Sequence, residues 1–277
     1  MTEFPTAARR FTLLGDPVAH SRSPAVYEAA FAALDLDCSY AVRNVTPAEL
    51  ADAVAEAAAD GGGNVTVPHK LRVTAVIDAP SRVVSATGAC NCFWRDPSGR
   101  IRGDNTDAGG FVAAAAELGP RLSGGRILVL GAGGAARAVA FACVAERVAV
   151  LEILNRTAER TGELVAGLAT GGPRIEAVAT PTGRYDLVVN ATSLGLRPDD
   201  ALPLDPGSVE TDAALDLVYG VDETRWTRAM RSAGVAAADG LEMLVRQAAL
   251  SLRNWIPGCD PPLEAMRLAA RAGSPQA

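Results

Sequence analysis

Lys70 closes the run Asn64-Val65-Thr66-Val67-Pro68-His69-Lys70. An amine at the end of a short apolar, strand-like run can give or take a proton once burial and a carboxylate partner tune it. The stretch Gly103-Asp104-Asn105-Thr106-Asp107 supplies such a carboxylate in Asp107, in a place where a helix cap is also expected. Asn64 and Thr66, two residues apart on one strand face, carry amide and hydroxyl groups suited to the hydroxyls of a small polar substrate. Upstream, Ser21 and Ser23 precede Pro24 and an apolar pattern of helical spacing. Backbone N–H groups and the helix dipole favour an anion there, so the two hydroxyls read as a carboxylate site. Ser23 also suits the N-cap with Pro24 at the first helical position, whereas Ser21 has no capping role to explain it. His20 and His69 are the only histidines. Neither has an orienting carboxylate nearby in sequence, so a hydrogen-bonded structural role stands beside a catalytic one for both.

A second constellation follows a shift in composition. Arg126-Ile127-Leu128-Val129-Leu130 reads as a buried strand running into Gly131-Ala132-Gly133-Gly134-Ala135-Ala136 and then a helix over Arg137–Val144. Strand, glycine turn and helix in that order form a dinucleotide fingerprint, with alanine in the third glycine's place. A methyltransferase loop is the competing reading. No Gly-Lys-Ser/Thr follows, which argues against an NTPase phosphate loop. The next strand ends at Asn155-Arg156-Thr157, with Arg160 one helical turn on. NAD-binding chains place an acid there for the ribose hydroxyls. Two guanidiniums and a hydroxyl point instead to a 2′-phosphate, hence to NADP. Glu152, the one nearby acid, lies inside the strand, two residues short of its end.

These groups need elements to hold them. Strands are expected over 10–14, 40–44, 65–67 and from 88, with helices over 25–34, 47–59 (capped by Thr46) and 111–118; Gly61-Gly62-Gly63 reads as a break. Further strands are expected over 149–154, 186–190, 214–219 and 235–238, and a helix over 241–254. Gln247 sits on that last helix among apolar residues, either solvated or reaching back to a substrate. The alternation is that of an α/β protein, and 277 residues allow one large or two ordinary domains. A net charge of −6 argues against a nucleic-acid partner gripped by a basic surface. The five cysteines are odd in number and lack paired metal spacing, so they read as reduced thiols with no metal. There is no basic-then-apolar leader and no apolar run of spanning length, so a cytoplasmic protein away from the membrane is expected. The last five residues read as a frayed tail.

In this order the motifs resemble the shikimate dehydrogenase family. They are His-Ser-Arg-Ser-Pro at 20–24, Asn-Val-Thr-Val-Pro-His-Lys at 64–70, Gly-Ala-Cys-Asn at 88–91 and Asn-Thr-Asp at 105–107. Gly-Ala-Gly-Gly-Ala-Ala at 131–136, Asn-Arg-Thr at 155–157, Val-Asn-Ala-Thr at 189–192 and Asp-Leu-Val-Tyr at 216–219 follow, with Gly240, Met243-Leu244 and Gln247. The resemblance spans nearly the whole chain, and its first-half motifs are the specific ones. It implies reversible NADPH-dependent reduction of 3-dehydroshikimate to shikimate, a step of aromatic amino-acid biosynthesis. It implies two domains with a cleft between them: an α/β substrate domain over 1–108 with 241–277, and a Rossmann-like NADP-binding domain over 109–240. Ser21 and Ser23 match positions for the substrate carboxylate, with Tyr219 near it. Thr66, Asn91, Asp107 and Gln247 match positions that hold ring hydroxyls, and Lys70 matches the catalytic lysine paired with Asp107. Gly131, Ala132, Gly133, Gly134 and Ala135 form the pyrophosphate loop. Asn155, Arg156, Thr157 and Arg160 match the segment around the adenosine phosphate, and Leu217 and Gly240 match positions near the nicotinamide. Cys92 replaces a threonine of the family pattern, and Arg82 stands where many members carry an acid. A quinate or aminoshikimate dehydrogenase is the near alternative, a dinucleotide-binding regulator without turnover the remote one. Small molecules are the expected partners of a monomer or homodimer.

Overall fold

In the computed structural model the apolar run before Gly15 is a strand, β1 (Arg9–Gly15). Residues 8–168, 172–197, 199–220 and 222–273 are described; the tail expected at 274–277 lies outside them. The chain divides into two units, one of residues 1–110 with 244–277 and one of residues 111–243.

In the first unit β1 is followed by α1 (Ser23–Ala33), β2 (Cys38–Asn44), α2 (Leu50–Asp60), β3 (Gly61–Val65), β4 (Ala79–Pro80), α3 (Arg82–Thr87), β5 (Cys92–Arg95) and β6 (Ile101–Asp104); α4 (Asp107–Leu118) then leads out of it. The sheet runs β2-β1-β3-β5-β6-β4. β1 is parallel to both β2 and β3, in a register that sets Gly15 beside Asn44 and Leu14 beside Val65. Three strand C-terminal ends therefore share one edge, which is where open α/β sheets carry ligands. β5 returns antiparallel between β3 and β6. Behind the sheet Leu14, Val54, Val65, Val84 and Phe93 form one buried cluster. On the other side Phe11 stacks on Trp255 and Tyr27 on Tyr40, each pair with centroids 4.3 Å apart.

The triple glycine does not break the chain, as its composition suggests, but forms most of β3, and the strand ends at Val65 rather than beginning there. The reason is close approach. A Cβ on Gly63 would lie 2.1 Å from the Thr12 carbonyl oxygen, and Gly62 has φ +125° against the backbone of Phe93. No side chain fits between these neighbours, so glycine is required in the strand. Two helix starts also differ from expectation. α1 begins at Ser23 with Arg22 in the cap position, and α2 begins at Leu50 with Glu49 there. The Thr46 hydroxyl and N–H are both bound by the Glu49 carboxylate, which closes a turn ahead of the helix instead of capping it.

In the second unit α4 is followed by β7 (Arg126–Leu130), α5 (Gly134–Ala145), β8 (Val150–Leu154), α6 (Ala158–Gly167), β9 (Arg174–Val178), β10 (Arg184–Tyr185), β11 (Leu187–Asn190), β12 (Glu210–Thr211), β13 (Ala213–Asp216), α7 (Arg225–Ser232) and β14 (Ala236–Ala238). The main sheet runs β14-β13-β11-β7-β8-β9 with every pairing parallel. Numbered within the unit this is the doubly wound order of dinucleotide-binding domains, whose direction switches between β7 and β11. Leu128, Tyr185, Val188, Trp226 and Met230 fill one face of it. α8 (Leu241–Trp255) and α9 (Leu263–Ala272) complete the chain. No described helix is long and apolar enough to cross a membrane.

Candidate active site

The Lys70 amine and the Asp107 carboxylate meet at 2.6 Å, with side chains 14% and 6% exposed. The elements explain why. Lys70 follows the end of β3, and its carbonyl accepts from Cys90 N at 2.8 Å, which pins it beside the start of β5. Asp107 opens α4, so its side chain points back from the helix start toward the strand ends. It does not cap that helix: Oδ2 takes Lys70 Nζ and Oδ1 takes Asn91 Nδ2 at 2.9 Å. Asn91 is held in turn, because its Oδ1 accepts Thr106 N at 2.8 Å.

Around this pair the structure gathers several of the expected residues. Gln247 Oε1 lies 3.2 Å from Asn91 Nδ2 and 3.3 Å from the Thr106 hydroxyl, so its side chain turns inward rather than to solvent. Asn64 is buried, and both its amide hydrogens are committed, to Asn91 O and to Ser251 Oγ, while its oxygen accepts from Tyr40 OH. Both Asn64 donors are thus engaged inside the protein in this structure, as are those of Asn91. Thr66 stays half-buried just past β3, its backbone tied to Leu14 and His69. Thr106, Ser251 and Tyr40 are members of the network that sequence reasoning missed. Ser251 had a signal, since it lies four residues after Gln247 on one helix face; Tyr40 had none.

The serine pair sits at the start of α1. Ser23 is in the helix and does not cap it; Ser21 Oγ accepts the Ser23 N–H at 3.2 Å. Ser21, taken from the sequence as the hydroxyl without a local role, is the one with a backbone partner. Arg22 between them is buried and donates to Ala270 O near the end of α9 at 2.5 Å, so the turn is set by a contact far along the chain. His20 is exposed, whereas His69 is fully buried.

In the second unit the glycine loop fits a pyrophosphate. Gly131 has φ +109°, and a Cβ there would lie 2.9 Å from Ala191 O, so the turn needs glycine. At Gly133 a Cβ would meet nothing within 4 Å, and α5 starts behind it without a side-chain cap. The first-turn amides of α5 are thereby left to an outside anion. At the end of β8, Asn155 Nδ2 donates to Thr157 O at 2.9 Å, shaping the turn into α6. Arg156 and Arg160 are exposed and make no ion pair among the described residues, although Glu159 is exposed in the same turn. Glu152 cannot serve a ribose: it is buried, ion-paired with Arg126 at 2.5 Å and hydrogen-bonded by Tyr185 OH. Two free guanidiniums and an internally consumed acid fit a dinucleotide with an extra phosphate on its adenosine ribose. Past β13, a Cβ on Gly240 would lie 2.4 Å from Leu217 O, so these two backbones touch. Burial pushes the Asp216 carboxyl up, against hydrogen bonds from Thr224, Val218 and Asn190 that pull it down. Tyr219 is half-buried two residues after Leu217, in this second unit and not in the unit that holds Lys70.

Comparison with known proteins agrees along the chain. The family model for the shikimate dehydrogenase substrate binding domain matches residues 13–93, that for shikimate / quinate 5-dehydrogenase residues 113–195, and that for the shikimate 5'-dehydrogenase C-terminal domain residues 240–271. A shikimate dehydrogenase (NADP(+)) of Symbiobacterium thermophilum is 40% identical over 274 residues, covering 94% of this chain and 92% of that one. The structure of shikimate 5-dehydrogenase from Thermus thermophilus in complex with NADP(H) and shikimate is similar with a TM-score of 0.84 at 38% identity, covering 95% of this chain and 99% of that one. The ligand-free 5-ketofructose reductase of Gluconobacter sp. strain CHM43 is similar with a TM-score of 0.83 at 30% identity, covering 97% and 99%.

Proposed function

The chain belongs to the shikimate dehydrogenase family, and from that premise we propose that it catalyses the reversible NADPH-dependent reduction of 3-dehydroshikimate to shikimate. The observation that carries this reading is the Lys70–Asp107 pair, 2.6 Å apart and largely withdrawn from solvent. A bound NADPH supplies or recovers the hydride. Nζ of Lys70 hands a proton to the reacting ring oxygen in the reduction and takes one back in the oxidation. Asp107 orients that amine, and Asn91 orients Asp107. The hydroxyls of Ser21 and Ser23 take the substrate carboxylate, for which Tyr219 is a further candidate. Thr66, Asn91, Asp107 and Gln247 take ring hydroxyls, and Asn64, whose amide bonds Asn91 O and Ser251 Oγ, stands with them on the substrate side. Gly131 to Ala135 cradle the pyrophosphate, Asn155, Arg156, Thr157 and Arg160 the adenosine phosphate, and Leu217 with Gly240 flank the nicotinamide. On this reading residues 1–110 with 244–277 form the substrate unit and residues 111–243 the nucleotide unit. The enzyme works as a monomer or homodimer on small molecules; its five free cysteines suit a reducing, cytoplasmic compartment.

The test is absorbance at 340 nm with shikimate or quinate against NADP or NAD, and with 5-ketofructose against NADPH because of the likeness to that reductase. Shikimate with NADP is expected to give the highest kcat/KM. A higher value for quinate or 5-ketofructose rejects the assignment of substrate, and one for NAD the assignment of cofactor.

A further inference from the structure

The proposed mechanism leaves one group beside Lys70 unused. His69 is 0% exposed, and its ring Nε2 lies 2.7 Å from the Val45 carbonyl oxygen just past β2. A carbonyl only accepts, so Nε2 carries the hydrogen of this bond. Nδ1 is buried with no partner among the described residues. A ring with one nitrogen committed and the other sealed from solvent cannot exchange protons with a substrate.

What the ring does instead follows from where Val45 is tied. Val45 N donates to Gly15 O at 3.1 Å, and the neighbouring Asn44 Oδ1 accepts Val18 N at 3.1 Å. Val18 O then accepts Ser21 N at 3.0 Å. On the other side His69 N donates to Thr66 O at 2.9 Å, and Asp16 N to Val67 O at 3.0 Å. One connected path thus runs from the residue before Lys70, through the end of β2, to the loop that carries Ser21 and Ser23. Side chains also tie this region elsewhere, Tyr40 OH to Asn64 Oδ1 and Arg22 to Ala270 O, but His69 is the side chain next to Lys70 whose hydrogen bond leads into that path.

We propose that His69 is a positioning residue: its Nε2–H clamp on Val45 fixes the distance between the Lys70 amine and the serine carboxylate site, and so aligns the ring oxygen with the proton donor. This rests on the roles proposed above for Lys70 and the serines. The clamp matters most when both ends of the substrate are held at once, because misplacement of about 1 Å costs on the order of 100-fold in rate.

The test uses the whole enzyme with shikimate and NADP. His69→Phe removes the donor and is expected to lower kcat ~10- to 100-fold with a smaller rise in KM, at unchanged NADP affinity. His69→Gln brings an amide nitrogen to the place of Nε2 and is expected to recover kcat to within about threefold of the natural chain, whereas His69→Asn, whose amide falls near Nδ1, is not. Combining His69→Phe with Ser21→Ala is expected to be less than additive, because removing the carboxylate anchor removes the use of the distance that His69 sets. A merely structural role would give additive losses. Additivity, or a His69→Phe enzyme with near-natural kcat, overturns the proposal. If the Phe variant does not fold, the contrast of His69→Gln with His69→Asn decides alone, equal activities overturning it. Lys70→Ala with undiminished turnover would instead reject the assignment of the proton donor, which separates the two failures.

Discussion

Asn91→Ala should expose how much of the site is held by one amide. Asn91 Nδ2 donates to Asp107 Oδ1 at 2.9 Å, and its Oδ1 accepts Thr106 N at 2.8 Å. Alanine leaves the carboxylate oxygen without that donor and the N–H without an acceptor, in residues 4% and 3% exposed that water does not readily reach. Each buried unsatisfied group costs ~1–3 kcal/mol, more for a charged one, so the expected loss is about 4 kcal/mol. For a unit of this size that corresponds to a fall in melting temperature of roughly 12 °C. Asp107 also loses one of its two orienting contacts, so kcat should fall by about tenfold or more. Asn91→Asp keeps the acceptor for Thr106 but sets a second carboxylate against Asp107, and should lose as much at neutral pH through like-charge repulsion. The assay is thermal unfolding followed by circular dichroism, alongside turnover at 340 nm. An Asn91→Ala protein melting within about 2 °C of the natural one would refute the reasoning, since about 4 kcal/mol cannot be hidden in so small a shift.

Replacing both Arg156 and Arg160 by Gln removes two charge-assisted donors, each worth ~1.5–3 kcal/mol when it meets a phosphate. NADP affinity measured by calorimetry should fall about 100-fold while NAD affinity changes little; equal losses for both cofactors would contradict a 2′-phosphate site. Acid titration reports on Asp96, whose carboxyl is held down at about 2, first by the Ser98 hydroxyl and then by the Arg100 backbone and guanidinium. Its folded value lies below the unfolded one near ~4, so the stability it lends is present above that value and is lost as pH falls toward 2. The urea midpoint of Asp96→Asn should therefore change less between pH 4 and 2 than that of the natural chain, and an identical slope would argue against the assignment.

The fold class and the pairing of Lys70 with Asp107 were legible because their signals are local. Leu128-Val129-Leu130 before Gly131 announces strand and turn within a few residues, and Lys70 with Asp107 stands out by residue type. What escaped depends on contacts distant in sequence. Ser23 looks like a cap, but the start of α1 is set with Arg22 reaching Ala270 O, 248 positions away. Asn64 looks unengaged, but its donors are taken up in this structure by Asn91 and by Ser251, which is 187 positions away. The three glycines of β3 look like a break because nothing local shows that Thr12 and Phe93 press against them. Glu152 is set aside in the sequence by its place inside the strand, but that Arg126 and Tyr185 hold it shows only in the fold.

Lys70 is proposed here as the proton donor and acceptor at the substrate oxygen. Turnover of Lys70→Ala with shikimate and NADP, measured beside its NADP affinity, tests this role most directly. The expected result is a kcat lowered at least ~100-fold with NADP affinity unchanged. A variant that still turns over within tenfold of the natural chain would contradict it.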